Sequence, residues 1–340
     1  MNKKLIAAAV VAGLAAPMAA QADVSVYGIG QAEISNIDAG GTTGSKTVFG
    51  EYGNSRFGIK WSEDLGGGMK AIGQLEWGPN QMYGVQESAD SVATFKHDAP
   101  GIYGREQWIG LKGGFGAIKL GTIHQAYKYA GGVHYDAFVA TAIQARGNYG
   151  MLGSSFGQSG YISNSIGYYG KFGMVNFDAT YSPVDNTDTG ADKLRYSGSK
   201  GDMTLALTVG LQGVQAGVAY AKDKNANGTT GPAGPTNTKV FGKYSFGNNT
   251  ILAQYENSKP DTGDTTKVAY LAYRLKLPAM NMLAVQLGQS KTGGAKNNYA
   301  VIGVRHNMSK KTSVFAGYMN KKPDVGDTTK VITVGLTEKF

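Results

Sequence analysis

From Asp23 the chain reads DVSVYGIGQAEISN, in which Val24, Val26, Gly28, Gly30, Ala32 and Ile34 share one parity and are apolar or small. Ser25, Tyr27, Gln31 and Glu33 hold the other. The two-residue period returns in Phe57, Ile59 and Trp61 against Arg56 and Lys60, and in Met69, Ala71, Leu75 and Trp77 against Lys70, Gln74 and Glu76. Leu205, Leu207, Val209 and Leu211, then Val214, Ala216, Val218 and Tyr220, repeat it further on. Successive side chains therefore point to opposite faces of extended strands, with one face apolar and the other mostly polar.

The connections alternate as well. Short polar turns at 63–68, 112–114, 170–173, 247–249, 277–280 and 308–311 interleave with longer segments at 37–50, 78–101, 122–160, 182–200 and 223–238. This spacing predicts about sixteen strands, the first near residue 24 and the last near 328, with both termini on the short-turn side. One polar decapeptide is written twice, KPDTGDTTKV from Lys259 and KPDVGDTTKV from Lys322. Pro, Gly and Asp favour a turn and Thr-Thr-Lys-Val a strand, so each copy reads as a long-side loop opening into a strand.

Sixteen regular strands in one meander do not pack as a sandwich, which hides its apolar faces inside. A closed membrane barrel turns the apolar parity to lipid, satisfies every backbone group by closure and keeps a polar interior. The fold expected is all-β, a transmembrane antiparallel β-barrel.

Composition narrows this further. Asn2-Lys3-Lys4, an apolar run from Leu5 to about Ala16 and the Ala20-Gln21-Ala22 pattern make residues 1–22 a cleavable export signal, leaving 23–340 as the barrel domain. The apolar run is Ala-rich, broken by Pro17 and short of the roughly 20 residues that a spanning helix needs. The absence of Cys removes disulfides, thiolate chemistry and Cys-based metal sites. The 51 glycines with only 9 prolines fit many strands joined by tight turns, and 20 tyrosines suit a surface apolar on one side and wet on the other. The formal charge of +9, or +7 without Lys3 and Lys4, is too diffuse for a nucleic-acid partner.

In order along the chain, DVSVYGIGQAEI, NSRFGIKWSEDLGGGMKAIGQLEW, REQWIGLKGGFGAIKLGT, IGVRHNMSKKTSVFAGY and the closing VGLTEKF resemble the general porins of Gram-negative outer membranes, in the branch of sixteen-stranded trimeric diffusion channels. The resemblance implies a passive water-filled channel for ions and small hydrophilic solutes, set in outer-membrane lipid as a homotrimer, without cofactor or turnover. It implies that loop three, residues 122–160, folds into the lumen as a constriction opposite a basic wall. Arg56 and Arg105 stand where the family's wall arginines stand, and loop two, 78–101, resembles the segment that latches a neighbouring subunit. The terminal Phe340 matches the aromatic read for outer-membrane insertion. Ile332, Val334 and Leu336 share its outward parity, and so does an atypical Glu338.

The chain departs from the family at the constriction. Loop three carries one carboxylate, Asp136, beside Lys128 and Arg146, and the position near Asn164 is uncharged. Inward charges assigned by parity are Arg56, Lys60, Lys70, Lys119, Lys243, Arg274 and Arg305 against Glu33, Glu76, Asp178 and Glu256. The expected constriction set is Arg56, Arg105, Lys119, Lys128, Asp136 and Arg146, with no matching set of carboxylates on the wall and a modest preference for anions.

Two other classes have weaker signals. A barrel hydrolase would draw on His134, Asp136 and Ser154 or Ser155, which are close in sequence but lack a surrounding motif. An adhesin or structural anchor would show a very long or repetitive outer loop. The aspartates of Asp185–Gly190 and of the decapeptides lack the ligand series of a calcium loop and read as solvated turns.

Overall fold

The computed structural model describes residues 22–42, 44–80, 101–153, 161–183, 201–224, 234–279 and 281–340. Seventeen strands form one antiparallel sheet. They are β1 (Asp23–Asp38), β2 (Ser45–Gly50), β3 (Arg56–Gly66), β4 (Met69–Asn80), β5 (Gly101–Gly113), β6 (Gly116–His124), β7 (Tyr161–Phe172), β8 (Val175–Tyr181) and β9 (Met203–Leu211). There follow β10 (Val214–Lys222), β11 (Thr236–Phe246), β12 (Asn249–Lys259), β13 (Thr266–Leu277), β14 (Asn281–Thr292), β15 (Ala295–Asn307), β16 (Thr312–Lys322) and β17 (Thr329–Lys339). From β3 onward each pairs with its sequence neighbours, β1 takes both β2 and β3, and β17 returns to β1 with Ile34 opposite Val334, so the sheet closes without an edge.

The barrel has sixteen staves because β2 and β3 are two halves of one. β2 pairs with the second half of β1 (Glu33–Asp38), and β3 with the first (Asp23–Ile29). Residues 51–55 bulge between them and are sewn to β1 through Gln31, whose backbone N–H donates to Ser55 Oγ (3.0 Å) and whose Oε1 accepts from Asn54 Nδ2 (2.6 Å). The loop expected at 37–50 is correspondingly shorter, since strand occupies Ser45–Gly50. The short-side turns are tight, and Gln212 (φ 37°) with Gly213 (φ 84°) has the two positive φ values of a type I′ hairpin turn.

Parity holds around the wall. Ile34, Ile109, Leu120, Leu207, Val240, Leu271, Leu287, Ile302, Ile332 and Val334 are exposed on the outside, while Gln31, Glu33, Gln74, Lys239, Gln254, Glu256 and Gln286 are buried inside. A hydrophobic exterior around a polar interior is the inverse of a soluble protein. At the seam, Phe340 and Gly28 exchange two backbone hydrogen bonds (3.1 and 3.2 Å), and the Phe340 ring lies over Gly28, where a Cβ would come within 2.0 Å of it.

The repeated decapeptide makes one hairpin tip twice. Gly263 (φ 94°) and Gly326 (φ 99°) take the same left-handed turn after Pro-Asp-x, between β12 and β13 and between β16 and β17.

Candidate channel constriction

Loop three leaves β6 at His124, makes a single helical turn, α1 (Ala126–Tyr129), and a 3₁₀ turn (Gly132–His134), and runs along the inside of the wall. Inward side chains of successive strands hold its backbone. Thr204 of β9 accepts from Ala126 N (2.8 Å), and Lys239 of β11 donates to the Tyr127 and Ala130 carbonyls (2.9 and 3.1 Å). Gln254 of β12 accepts from Gly132 N (2.8 Å), Tyr270 of β13 donates to Tyr135 O (2.9 Å), and Gln286 of β14 accepts from Ala137 N (2.6 Å). Tyr299 of β15 donates to Ile143 O (2.7 Å), and Glu33 of β1 accepts from Ala142 N (3.1 and 3.2 Å). Each such bond contributes about 1 kcal/mol net, more where a charge takes part, so the loop is fixed along its length.

The wall makes room for it. Gly288, inward on β14, lies so close to Gly150 that a Cβ would come within 2.4 Å of the Gly150 Cα. A glycine on the polar parity was the sequence sign of this approach.

Facing the loop, β1 and β3–β6 build a cavity of about 410 Å³ lined by Arg56, Lys60, Glu76, Arg105, Glu106, Lys119, His124 and Tyr129. Arg105 and Glu106 can both point inward because Leu75 pairs with Gln107 while Trp77 pairs with Gly104, leaving the two residues opposite Glu76 alone. Such a bulge re-aims side chains, which is why alternation is blurred there in the sequence. Arg105 Nε meets Glu76 Oε1 at 2.6 Å, Arg56 Nε lies 3.6 Å from Oε2, and the Tyr27 hydroxyl donates to the same oxygen (2.8 Å). Glu106 Oε2 accepts from Trp108 Nε1 (3.1 Å) and lies 3.1 Å from His124 Nδ1.

The wall holds two carboxylates among its cations, Glu76, which parity assigned inward, and Glu106, which the bulge hid. The six cations Arg56, Lys60, Arg105, Lys119, Lys128 and Arg146 still outnumber the three carboxylates Glu76, Glu106 and Asp136.

Aromatic rings carry much of this charge. Lys119 Nζ sits between Trp108 (3.9 Å) and Tyr169 (4.6 Å), and Lys60 lies over Tyr27 (4.4 Å). The Tyr161 ring receives Arg105 from the wall (5.4 Å) and Lys128 from the loop (5.1 Å). Burial, with Arg146 and Arg105 adding repulsion, holds the Lys128 ammonium well below the ordinary lysine range.

Asp136 does not face the wall arginines. It is 4 % exposed, with Oδ1 accepting from Phe138 N (2.9 Å) and Oδ2 from Ala145 N (2.7 Å), so it ties the two limbs of the loop together. Burial raises its pKa against the pull of those two donors. With both oxygens engaged by backbone, Asp136 does not orient His134, whose ring packs on Tyr129 (5.3 Å). Ser154 and Ser155, like the Asp185–Gly190 stretch and most of loop two, lie outside the described residues. Glu33 and Glu256, expected as lumen charges, are spent on the loop, as is Lys239: Glu256 accepts from Leu152 N (3.1 Å) and the Tyr127 hydroxyl (3.0 Å). Beyond Tyr129 a second cavity of about 280 Å³ is lined by Lys243, Arg274, His134, Tyr135 and Gln215 with no carboxylate.

The closed barrel of sixteen staves has counterparts among known proteins. The profile of Gram-negative porins matches residues 7–325. The chain belongs to this family. It is 29 % identical to outer membrane porin protein 32 of Delftia acidovorans over 93 % of this chain and 88 % of that one. The fold matches an anion-selective porin from Comamonas acidovorans with a TM-score of 0.73, at 20 % identity over 94 % of this chain and 100 % of the other. It also matches the trimer form of OmpT from Vibrio cholerae with a TM-score of 0.66, at 14 % identity over 94 % and 99 %. This porin is a passive diffusion channel of the outer membrane, not a barrel hydrolase.

Proposed function

We propose that loop three and the β3–β6 wall form the constriction of this porin, and that Arg56, Arg105, Lys119, Lys128 and Arg146 give it a modest preference for anions. Asp136 serves in this reading as the brace that holds Lys128 and Arg146 toward the wall. The observation that carries it is the excess of cations over carboxylates around the cavity of β3–β6, with Lys243 and Arg274 extending the cationic lining beyond Tyr129. The Comamonas porin of like fold is described as anion-selective. Two charges about 4 Å apart interact by roughly 4 kcal/mol at an effective dielectric of 20, so an unbalanced cluster in a narrow passage biases entry several-fold. Export with loss of residues 1–22, insertion through Phe340 and assembly of three copies complete the reading. They are supported by the Ala20-Gln21-Ala22 pattern, the ring of Phe340 at the barrel seam and the trimeric Vibrio barrel.

The test is the reversal potential of the reconstituted channel across a KCl gradient. The wild type is expected to favour chloride, and Arg56→Ala, Arg105→Ala and Arg146→Ala each to reduce that preference, Arg105→Ala most because it leaves the longer Arg56 contact as the ion pair of Glu76. Salt weakens the effect as the Debye length falls from about 10 Å at 0.1 M to about 3 Å at 1 M. A cation-selective wild type, or three variants with unmoved potentials, would overturn the assignment.

A further inference from the structure

The cavity beyond Tyr129 differs from the one at β3–β6 in how its cations are held. Lys243 stands three residues from the short-turn end of β11 and Arg274 three from that of β13, so this cavity lies on the short-turn side of loop three. Across the strands Lys243 sits between Gln215 and Leu252, an amide to one side and an aliphatic chain to the other. Among the described residues its ammonium has no hydrogen bond or ion pair. The Gln215 Oε1 accepts from the Tyr135 hydroxyl (3.4 Å), which leaves the NH₂ of that amide to donate.

Arg274 is held on one side alone. Its Nη2 donates to His134 O (3.1 Å), and its buried Nε has no acceptor among the described residues. Arg56 and Arg105 share Glu76, whereas Asp136, whose charge reaches Arg274, gives both its oxygens to backbone N–H groups. Cationic donors withdrawn from water without a carboxylate are costly until an acceptor meets them.

The facing side of the cavity is aromatic. Tyr129 and the exposed His134 form a splayed pair, with ring centroids 5.3 Å apart and planes at 59°. Partial enclosure, with His124, Arg274 and Lys243 adding repulsion, pushes the His134 imidazole below the ordinary histidine range, so near neutral pH it presents a ring and not a third cation. Arg274 itself fastens the turn that carries this ring, which fixes cation and ring relative to each other. Tyr129 lines both cavities, so an anion that has passed the wall arginines meets this one next.

We propose that the cavity binds small aromatic carboxylates, with the carboxylate among Lys243, Arg274 and the Gln215 amide and the ring against Tyr129 and His134. An aliphatic acid engages the cations without the rings, and a neutral arene the rings without the cations. The proposal rests on the channel reading given above, but on different residues from the β3–β6 wall.

The full chain is reconstituted in planar bilayers in dilute KCl, and millimolar benzoate, cyclohexanecarboxylate, acetate or benzamide is added to each side in turn. Single-channel interruptions are counted and timed. Benzoate is expected to stay roughly two- to ten-fold longer than cyclohexanecarboxylate, the range that an aromatic contact contributes. Acetate and benzamide should leave the trace as it is in KCl alone. Lys243→Gln/Arg274→Gln should shorten the benzoate interruptions by roughly ten-fold or more, and Lys243→Arg should keep them. Because Arg274 also fastens loop three, Lys243→Gln alone, which costs no hydrogen bond found among the described residues, gives a smaller shortening in the same direction. Equal residence of benzoate and cyclohexanecarboxylate, equal interruption by acetate, or benzoate interruptions indifferent to Lys243→Gln would overturn the proposal. A cation-selective wild type whose benzoate interruptions still depend on Lys243 would instead sink the β3–β6 assignment alone.

Discussion

Glu76 touches Arg105, Arg56 and Tyr27 at once, and it shows how little of a charge count survives contact with geometry. A carboxylate held at 2.6 Å from a guanidinium is not available to a passing cation, and the guanidinium has a further acceptor in the Gly53 carbonyl (3.4 Å). Lys128 differs, because burial and its cationic neighbours favour the neutral amine. As pH rises, it should lose its proton before exposed lysines do, taking one positive charge from the constriction. Tyr129 beside it is pushed up to about 12 by burial, so its ionisation comes later. The anion preference is therefore expected to weaken at a pH below the ordinary lysine range, and Lys128→Gln to abolish that step while leaving the rest of the pH profile in place. Reversal potentials measured over an alkaline pH series check this, and a step that persists in the variant would assign the titration elsewhere.

Among the elements, loop three behaves as an internal strut. Asp136 supplies two acceptors to two N–H groups, whereas asparagine supplies only one and sets an NH₂ against the other. Asp136→Asn should cost about 1–3 kcal/mol of loop stability, read as greater open-channel noise and faster entry of larger sugars in liposome swelling. Quiet traces and an unchanged size limit would mean that the wall bonds alone hold the loop. The strands themselves were legible, because a period of two with one face in lipid repeats sixteen times. The second stave was misread because Tyr52, Gly53 and Asn54 look like the end of a loop, when they are a bulge between two halves of one strand. The loop's anchors were illegible for a simpler reason. Glu33 with Ala142 and Tyr299 with Ile143 join residues more than a hundred apart, and only barrel closure brings them together. Glu33 and Glu256 consequently read as pore charges when they are fastenings.

For the whole molecule, closure runs through the β1–β17 ladder, which Phe340 extends by one pair. The Phe340 backbone completes the pairing at Gly28 and its ring fills the space that a Cβ would need. Native mass spectrometry of outer-membrane material is expected to show three chains per particle, each beginning Asp23-Val24-Ser25, and none from a gene lacking the Phe340 codon. Full-length chains beginning at Met1, single-chain particles, or normal yields without Phe340 would reject export cleavage, assembly or the insertion signal respectively.

The twin hairpin tips carry a consequence for anything that recognises the long-loop rim. Lys-Pro-Asp-x-Gly-Asp-Thr-Thr-Lys-Val is displayed twice, with the same turn at Gly263 and Gly326 and only Thr262 exchanged for Val325. Anything that recognises one tip meets a second copy of the same turn on the same chain, four strands along the rim, so the number of such sites per chain doubles with no gain in affinity for either. A change at one tip leaves the other in place, and both spellings must change before the shape is lost from the chain.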